Sequence, residues 1–124
     1  MQTITVEDLR ALGDAGATII NVGSHARRRE IRGAVRYRPH DLLADHVAPP
    51  LPLDRPVVLY DENGKGHQTE EIALRLAAEG FDARILAGGF DAWERAGGLT
   101  QEATMEQIVT ATNPAEVQEL DRRV

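Results

Sequence analysis

The residues best placed for chemistry follow the apolar run Val57–Tyr60. Asp61 ends that run, and a short polar loop leads to His67, where a helical pattern begins. A loop between a strand and a helix often holds an anion or a nucleophile, because backbone N–H groups of the loop and the first helical turn point into one space. Here the residue at the end of the predicted strand is Asp61, which carries a carboxylate. The candidate loop consists of Asp61, Glu62, Asn63, Gly64, Lys65, Gly66 and His67.

Asp61 and His67 could together carry out acid–base chemistry, because a carboxylate and an imidazole are common partners in proton transfer. This pairing supports one hypothesis, an enzyme (a hydrolase or transferase) acting on an unidentified substrate. The alternative is that the two side chains only cap the loop and the helix. The sequence favours capping but leaves both interpretations open.

Two known types of aspartate loop fit this segment poorly. An EF-hand calcium loop beginning at Asp61 would need an oxygen ligand where Lys65 stands and a bidentate glutamate where Ile72 stands. An aspartyl phosphatase of the haloacid-dehalogenase type would use Asp61 as nucleophile. It would also need a second acid two residues later, where the chain has Asn63.

Histidine and cysteine content argues against a metal site or a cofactor. The other histidines, His25, His40 and His46, do not form a close i,i+4 pair with one another or with His67. The chain has no cysteine, which excludes disulfides, thiolate metal sites and a thiol nucleophile. We therefore expect no metal and no cofactor.

The charge of the chain limits its partners. The net charge of −6 argues against nucleic acid, which needs a basic surface. A local cluster of arginines could still form a basic patch for a small anionic ligand or an acidic protein partner. The residues of this patch are Arg27, Arg28, Arg29 and Arg32. The alternative is a solvated surface on which the arginine stems cover the core.

No apolar run approaches the roughly 20 residues that span a bilayer, so we expect no membrane insertion. The N-terminus lacks a basic segment followed by an apolar core, so the cytoplasm is the expected location. The sequence does not indicate the oligomeric state.

The elements that would position the loop alternate between strand and helix. Strands are predicted at 17–22, near Val35, at 57–60 and at 83–86, and helices from Val6, at 68–79 and at 90–96. Residues 23–39 are predicted to form a loop around a basic helical turn. Cap signals at Thr104 with Gln107 and at Asn113-Pro114 predict a helical tail. This alternation predicts an α/β domain with a parallel sheet.

Several motifs resemble one known family. In order, they are Ile20-Asn21-Val22-Gly23, Glu30-Ile31-Arg32-Gly33-Ala34, Gly80-Phe81 and Leu86-Ala87-Gly88-Gly89-Phe90-Asp91-Ala92-Trp93. With the opening helix, they make roughly residues 3–99 resemble a single-domain rhodanese of the sulfurtransferase family. The resemblance implies an open parallel sheet with helices on both faces. We expect a rhodanese-like domain over residues 1–100 and a helical extension over 101–124, packed on the same domain.

The resemblance places the family's nucleophilic cysteine, which carries sulfur as a persulfide, at Asp61. A carboxylate cannot form a persulfide. Phosphatases and arsenate reductases that resemble this family use the same cysteine, so its absence counts against them as well. Other active-site positions also depart from the family pattern: Asn21 replaces an Asp, Gly23 an Arg and Glu30 a His, and the expected loop Arg is Gly66 or His67.

These departures predict a catalytically inactive rhodanese-like domain that acts as a binding or regulatory module. In this interpretation the carboxylate of Asp61 accepts the loop N–H groups that hold an anion in active relatives. The site would then be closed to anionic substrates.

Overall fold

A computed structural model describes residues 2–13, 16–23, 29–43, 51–103 and 106–107 of the chain. Its strands are β1 Thr3–Ile4, β2 Thr18–Asn21, β3 Arg29–Ile31, β4 Val35–Tyr37, β5 Val57–Tyr60, β6 Ala83–Leu86, β7 Thr100–Glu102 and β8 Glu106–Gln107. Its helices are α1 Val6–Leu12, α2 Pro39–Leu42, α3 His67–Ala78 and α4 Gly89–Arg95. None of these helices combines the length and apolar character needed to cross a bilayer.

The main sheet has six strands in the order β1-β6-β5-β2-β4-β8, and every neighbouring pair is parallel. β5 lies in its interior between β6 and β2, so the loop after β5 begins near the middle of the sheet's carboxyl edge. This is where open α/β sheets place their ligand sites. A separate antiparallel pair joins β3 to β7, with Glu30 opposite Gln101.

The apolar core is divided between the two faces of the main sheet. Successive residues of a strand point to opposite faces, so Val58 packs in one core cluster and Leu59 in the other. α1 and α4 cover the first cluster through side chains such as Leu9 and Trp93. α2 and α3 cover the second, through side chains such as Leu76. The predicted α/β architecture with helices on both faces is confirmed.

Most predicted elements lie within one or two residues of their predicted bounds. Thr5 caps α1 as expected, since its hydroxyl accepts a hydrogen bond from the backbone N–H of Asp8 at 3.1 Å. Two predictions were wrong. Arg29–Ile31 is a strand rather than part of a loop with a helical turn, because it pairs with β7.

The second correction concerns the start of the tail. The predicted capping box at Thr104 with Gln107 would begin a helix, whereas Gln107 lies in β8, paired with Tyr37 of β4. β7 spans Thr100–Glu102 and pairs with β3, so the chain still contacts the domain beyond residue 100. The predicted helix near Asn113 lies outside the described residues, and the division at residue 100 stays a prediction.

Candidate functional site

The loop after β5 is held against the start of α4. The carbonyl oxygen of Asp61 accepts the backbone N–H of Phe90 at 2.9 Å, and that of Glu62 accepts the N–H of Asp91 at 2.9 Å. N–H groups in the first turn of a helix have no partner within the helix, so they are free to bind the loop. The first turn of α4, which begins at Gly88-Gly89, thus fixes the backbone that carries the Asp61 side chain.

The carboxylate of Asp61 is the acceptor for its own loop. Oδ1 accepts the backbone N–H groups of Asn63, at 3.2 Å, and of Gly64. Oδ2 accepts the N–H of Gly66 at 2.9 Å and the hydroxyl of Thr69 at 2.8 Å. The sequence-based expectation that this carboxylate binds the loop N–H groups is confirmed by these contacts.

The fourth loop N–H is also used internally. The N–H of Lys65 donates to Oδ1 of Asn63 at 2.9 Å. The backbone N–H groups of residues 63–66 therefore all donate to side chains of the loop itself. In an active relative, by the resemblance, such groups would face the sulfur or an oxyanion.

Thr69 is the site residue that sequence reasoning missed. It is buried in the first turn of α3 and donates its hydroxyl to Asp61. The available signal was a hydroxyl side chain eight residues after the aspartate, on the helix that follows the loop. Spacing alone could not show that this hydroxyl turns toward the strand end.

Two loop glycines are required by close approach. A Cβ on Gly66 would lie 2.5 Å from Oδ2 of Asp61, closer than real Cβ contacts allow. Gly64 has a φ of 79° and would place a Cβ 2.9 Å from the backbone nitrogen of Gly88. The glycines therefore let the loop wrap around the carboxylate and pack on the Gly-Gly turn.

His67 begins α3 and lies beside the carboxylate without binding it. Both residues line a shallow depression of about 320 Å³. The full lining is Val22, Gly23, Asp61, Glu62, Asn63, Gly66, His67, Gln68 and Thr69. Within the described residues, no hydrogen bond or ion pair joins His67 to Asp61. The predicted pair shares one depression but not a hydrogen bond.

A buried polar cluster lies behind the loop. Glu30 has no exposed surface, and its Oε1 accepts the side-chain N–H of Asn21 at 3.3 Å while its Oε2 accepts that of Gln101 at 2.8 Å. The Oδ1 of Asn21 accepts the N–H of Gly23 at 2.9 Å. Three positions that the sequence marked as departures from the family pattern are thus linked by hydrogen bonds, which sequence reasoning did not predict.

The same region contains a buried arginine and a buried tyrosine. Arg36 donates from Nη2 to the carbonyl oxygen of Gly23 at 3.1 Å. The hydroxyl oxygen of Tyr60 accepts the N–H of Ile31 at 3.0 Å. Burial raises the pKa of Tyr60 well above its ordinary value, since removing the phenol from water disfavours its charged form.

The structure tests the predicted basic patch only in part. Arg27 and Arg28 lie outside the described residues. Arg29 is exposed and donates from Nε and Nη2 to the hydroxyl of Thr100 at 3.2 and 3.1 Å. Arg32 is exposed and lines a different depression, beside Trp93. The patch as a binding surface stays a prediction.

Across the residues that the structure describes, no group of three or more histidines, aspartates and glutamates is arranged to hold a metal ion. The donors at the candidate site are backbone N–H groups and a hydroxyl. They suit an anion, and the carboxylate of Asp61 occupies them.

Comparison with known proteins agrees with this fold. The family model of the rhodanese-like domain matches residues 5–96. A rhodanese homologue from Thermus thermophilus is 29% identical, with a TM-score of 0.60 over 74% of this chain and 100% of that chain. No curated protein matches the chain significantly.

Two further structures share the fold at lower identity. A protein of unknown function from Rhodopseudomonas palustris, called a possible tyrosine phosphatase, is 23% identical, with a TM-score of 0.65 over 82% of this chain and 85% of that chain. A thiosulfate sulfurtransferase from Pseudomonas aeruginosa is 16% identical, with a TM-score of 0.70 over 99% of this chain and 24% of that chain. The family model spans most of the chain and the parallel sheet agrees with it, so this protein belongs to the rhodanese-like domain family.

Proposed function

We propose that this protein is a rhodanese-like domain that does not transfer sulfur and acts as a binding or regulatory module. One observation carries the proposal. The loop that would hold an anion in an active relative is filled by the carboxylate of Asp61, which accepts three backbone N–H groups and the hydroxyl of Thr69.

The chemistry of the filled loop opposes sulfur transfer in two ways. The reaction of the family needs a thiolate, and the chain contains no cysteine. In addition, an anionic donor such as thiosulfate would have to approach a carboxylate that already holds the loop N–H groups. Like charges a few ångströms apart repel, and no backbone N–H of residues 63–66 is left free to compensate.

The enzyme alternative, with Asp61 and His67 as the working pair, has one observation in its favour: both line the depression of about 320 Å³. It is the weaker proposal. A general base or nucleophile needs a free lone pair directed at the substrate, whereas each oxygen of Asp61 already accepts two hydrogen bonds.

The proposal is tested by an assay of thiosulfate:cyanide sulfurtransfer on the wild type and on Asp61→Cys, with an ordinary rhodanese as positive control. We expect no thiocyanate above background from the wild type. Asp61→Cys should stay far below the positive control. A reactive thiolate needs nearby cations and well-aimed donors, and by the resemblance two arginine positions of the active site are occupied here by Gly23 and by Gly66 or His67.

Asp61→Ala is the matched control, because it lacks both the carboxylate and a thiol. Thiocyanate made by the wild type and lost in Asp61→Ala would contradict the proposal. A second readout is the amide spectrum under thiosulfate titration. We expect the N–H signals of residues 63, 64 and 66 to stay in place in the wild type and to shift in Asp61→Ala, where the donors are free.

A further inference from the structure

A second depression lies away from the Asp61 loop. Its volume is about 160 Å³, and it is bounded by α1, α4 and the segment that leads into β7. The lining residues are Leu9, Arg10, Gly13, Ile19, Arg32, Trp93 and Leu99. It shares no lining residue with the depression at Asp61, so any ligand here is independent of the proposed function.

The inner surface of this depression is apolar. Leu9, Ile19 and Trp93 are only 2%, 6% and 7% exposed. The indole N–H of Trp93 donates to the carbonyl oxygen of Leu99 at 2.8 Å, so the polar atom of the ring is already satisfied. An apolar cavity of about 150 Å³ accommodates benzene. A depression of about 160 Å³ therefore suits a single aromatic ring.

The rim, in contrast, is cationic. Arg10 and Arg32 are both exposed and both line the depression. Among the described residues, the side chain of Arg10 donates one hydrogen bond, from Nη1 to the carbonyl oxygen of Ala96 at 3.2 Å. Within the described part of the chain, the guanidinium of Arg32 has no hydrogen bond or ion pair. Among the residues that the structure describes, no acidic side chain lines the depression.

We propose that this depression binds a small aromatic carboxylate. The ring would lie on the side chains of Leu9, Ile19 and Trp93, and the carboxylate would bind the guanidinium groups at the rim. Arginine suits this role because its planar fork matches the two oxygens of a carboxylate. A neutral ring would leave the guanidinium groups unused, and an inorganic anion would leave the apolar floor uncovered.

The test uses phenylacetate as the probe and the fluorescence of Trp93, the only tryptophan of the chain, as the readout. We expect a saturable change with a dissociation constant of about 1–10 mM, the range for a ligand of this size. Acetate, which lacks the ring, and 2-phenylethanol, which lacks the charge, should each bind at least about fivefold more weakly. The difference between phenylacetate and 2-phenylethanol should shrink at high salt, since exposed charges are screened.

Arg32→Gln is the informative variant, because Arg32 is exposed and its guanidinium has no hydrogen bond or ion pair with another described residue. It should weaken phenylacetate binding roughly three- to tenfold, as expected for an exposed charged contact. Arg95→Gln is the matched control, since Arg95 is an exposed arginine two residues after Trp93 that does not line the depression.

Three results would overturn the proposal: no saturable response to phenylacetate, equal binding of phenylacetate and 2-phenylethanol, or equal weakening in Arg32→Gln and Arg95→Gln. A shift of the backbone amides of Gly13 and Arg32 in the wild type on adding phenylacetate would place the probe in this depression. Shifts confined to other regions would overturn the assignment.

Discussion

Two carboxylates of this domain, Asp61 and Glu30, satisfy hydrogen-bond donors in different ways. Asp61 is partly exposed, and its donors come from the next eight residues of the chain. Glu30 is completely buried, and its donors include the side chains of Asn21, on β2, and Gln101, on β7. One carboxylate closes a local loop, while the other ties together strands from opposite ends of the chain.

The two environments predict that Asp61 and Glu30 contribute differently to the stability of the fold. Water can replace some of the hydrogen bonds of Asp61 because the loop lies at the surface, so its main effect is to fill the candidate site. Water cannot reach Glu30, so each lost donor leaves a buried charge with fewer partners. We therefore expect changes around Glu30 to reduce stability more than changes at Asp61.

The largest effect is expected for Asn21→Asp. This change is nearly isosteric and retains the oxygen that accepts the N–H of Gly23, but it replaces the donor to Glu30 with a second carboxylate 3.3 Å away. We expect the free energy of unfolding at pH 7 to fall by about 3 kcal/mol, measured by urea denaturation, because a buried charge loses a donor and gains a like charge.

A double-mutant cycle sharpens this prediction. By the resemblance, the family has Asp at the place of Asn21 and His at the place of Glu30. We expect Glu30→His alone to be destabilising and Asn21→Asp with Glu30→His to recover part of the loss, because the pair again joins a donor to an acceptor. Strict additivity of the two single changes would contradict a direct interaction between these side chains.

The strand β3, which contains Glu30, shows which elements could not be predicted from the sequence. Strands β2 and β5 were evident because both are short runs rich in apolar and β-branched residues, a composition typical of buried strands. Strand β3 was not, because Arg29–Ile31 has no alternating pattern and its partner β7 lies about 70 residues later. The capping signal at Gln107 failed because pairing with β4 outweighed a local preference.

The features of the candidate site also fall into those that the sequence predicted and those that it did not. The acceptor role of Asp61 could be predicted because its donors are consecutive residues in a loop whose glycines were visible. The hydroxyl of Thr69 and the contact between Asn21 and Glu30 depend on the path of the backbone between elements. The predicted pairing of Asp61 with His67 relied on proximity in sequence, which placed the two in one depression but did not fix a hydrogen bond.

A smaller loss is expected for Asp61→Ala. The carboxylate accepts three N–H groups and one hydroxyl, and its removal leaves the buried hydroxyl of Thr69 without this acceptor while exposed N–H groups turn to water. We expect the free energy of unfolding to fall by about 2 kcal/mol. Formate, which has the size of the missing carboxylate group, should raise the melting temperature of this variant and not that of the wild type.

The control for this variant is Asp54→Ala, which removes an exposed aspartate that pairs only with the neighbouring Arg55 among the described residues. Its stability should match that of the wild type, with no response to formate. Equal stabilisation of all three proteins by formate would indicate a general salt effect. It would contradict specific binding of formate where the carboxylate of Asp61 was removed.

The smallest effect concerns Tyr60, whose hydroxyl accepts the N–H of Ile31, the residue after Glu30, at 3.0 Å. Burial raises the pKa of Tyr60, and burial also raises that of Tyr37. A raised pKa means that the folded protein holds the phenolic proton more tightly than the unfolded chain does. This contribution to stability is fully present below pH about 10 and is lost as the pH rises above it.

We expect the free energy of unfolding of the wild type to fall between pH 9 and pH 11, by about 1 kcal/mol from Tyr60, with a further decrease in the same direction from Tyr37. Tyr60→Phe should lower stability at pH 9 by about 1 kcal/mol, because the N–H of Ile31 loses its acceptor. It should then lose less stability from pH 9 to pH 11 than the wild type does. Comparing the two proteins cancels the titration of Lys65, the single lysine of the chain, and absorbance at 295 nm follows the phenols directly. The contradicting result would be a phenol that ionises near pH 10 in the folded wild type and whose titration is missing in Tyr60→Phe. It would show that Tyr60 is exposed to water. The neighbouring Glu30 would then also be more accessible to water than its burial indicates.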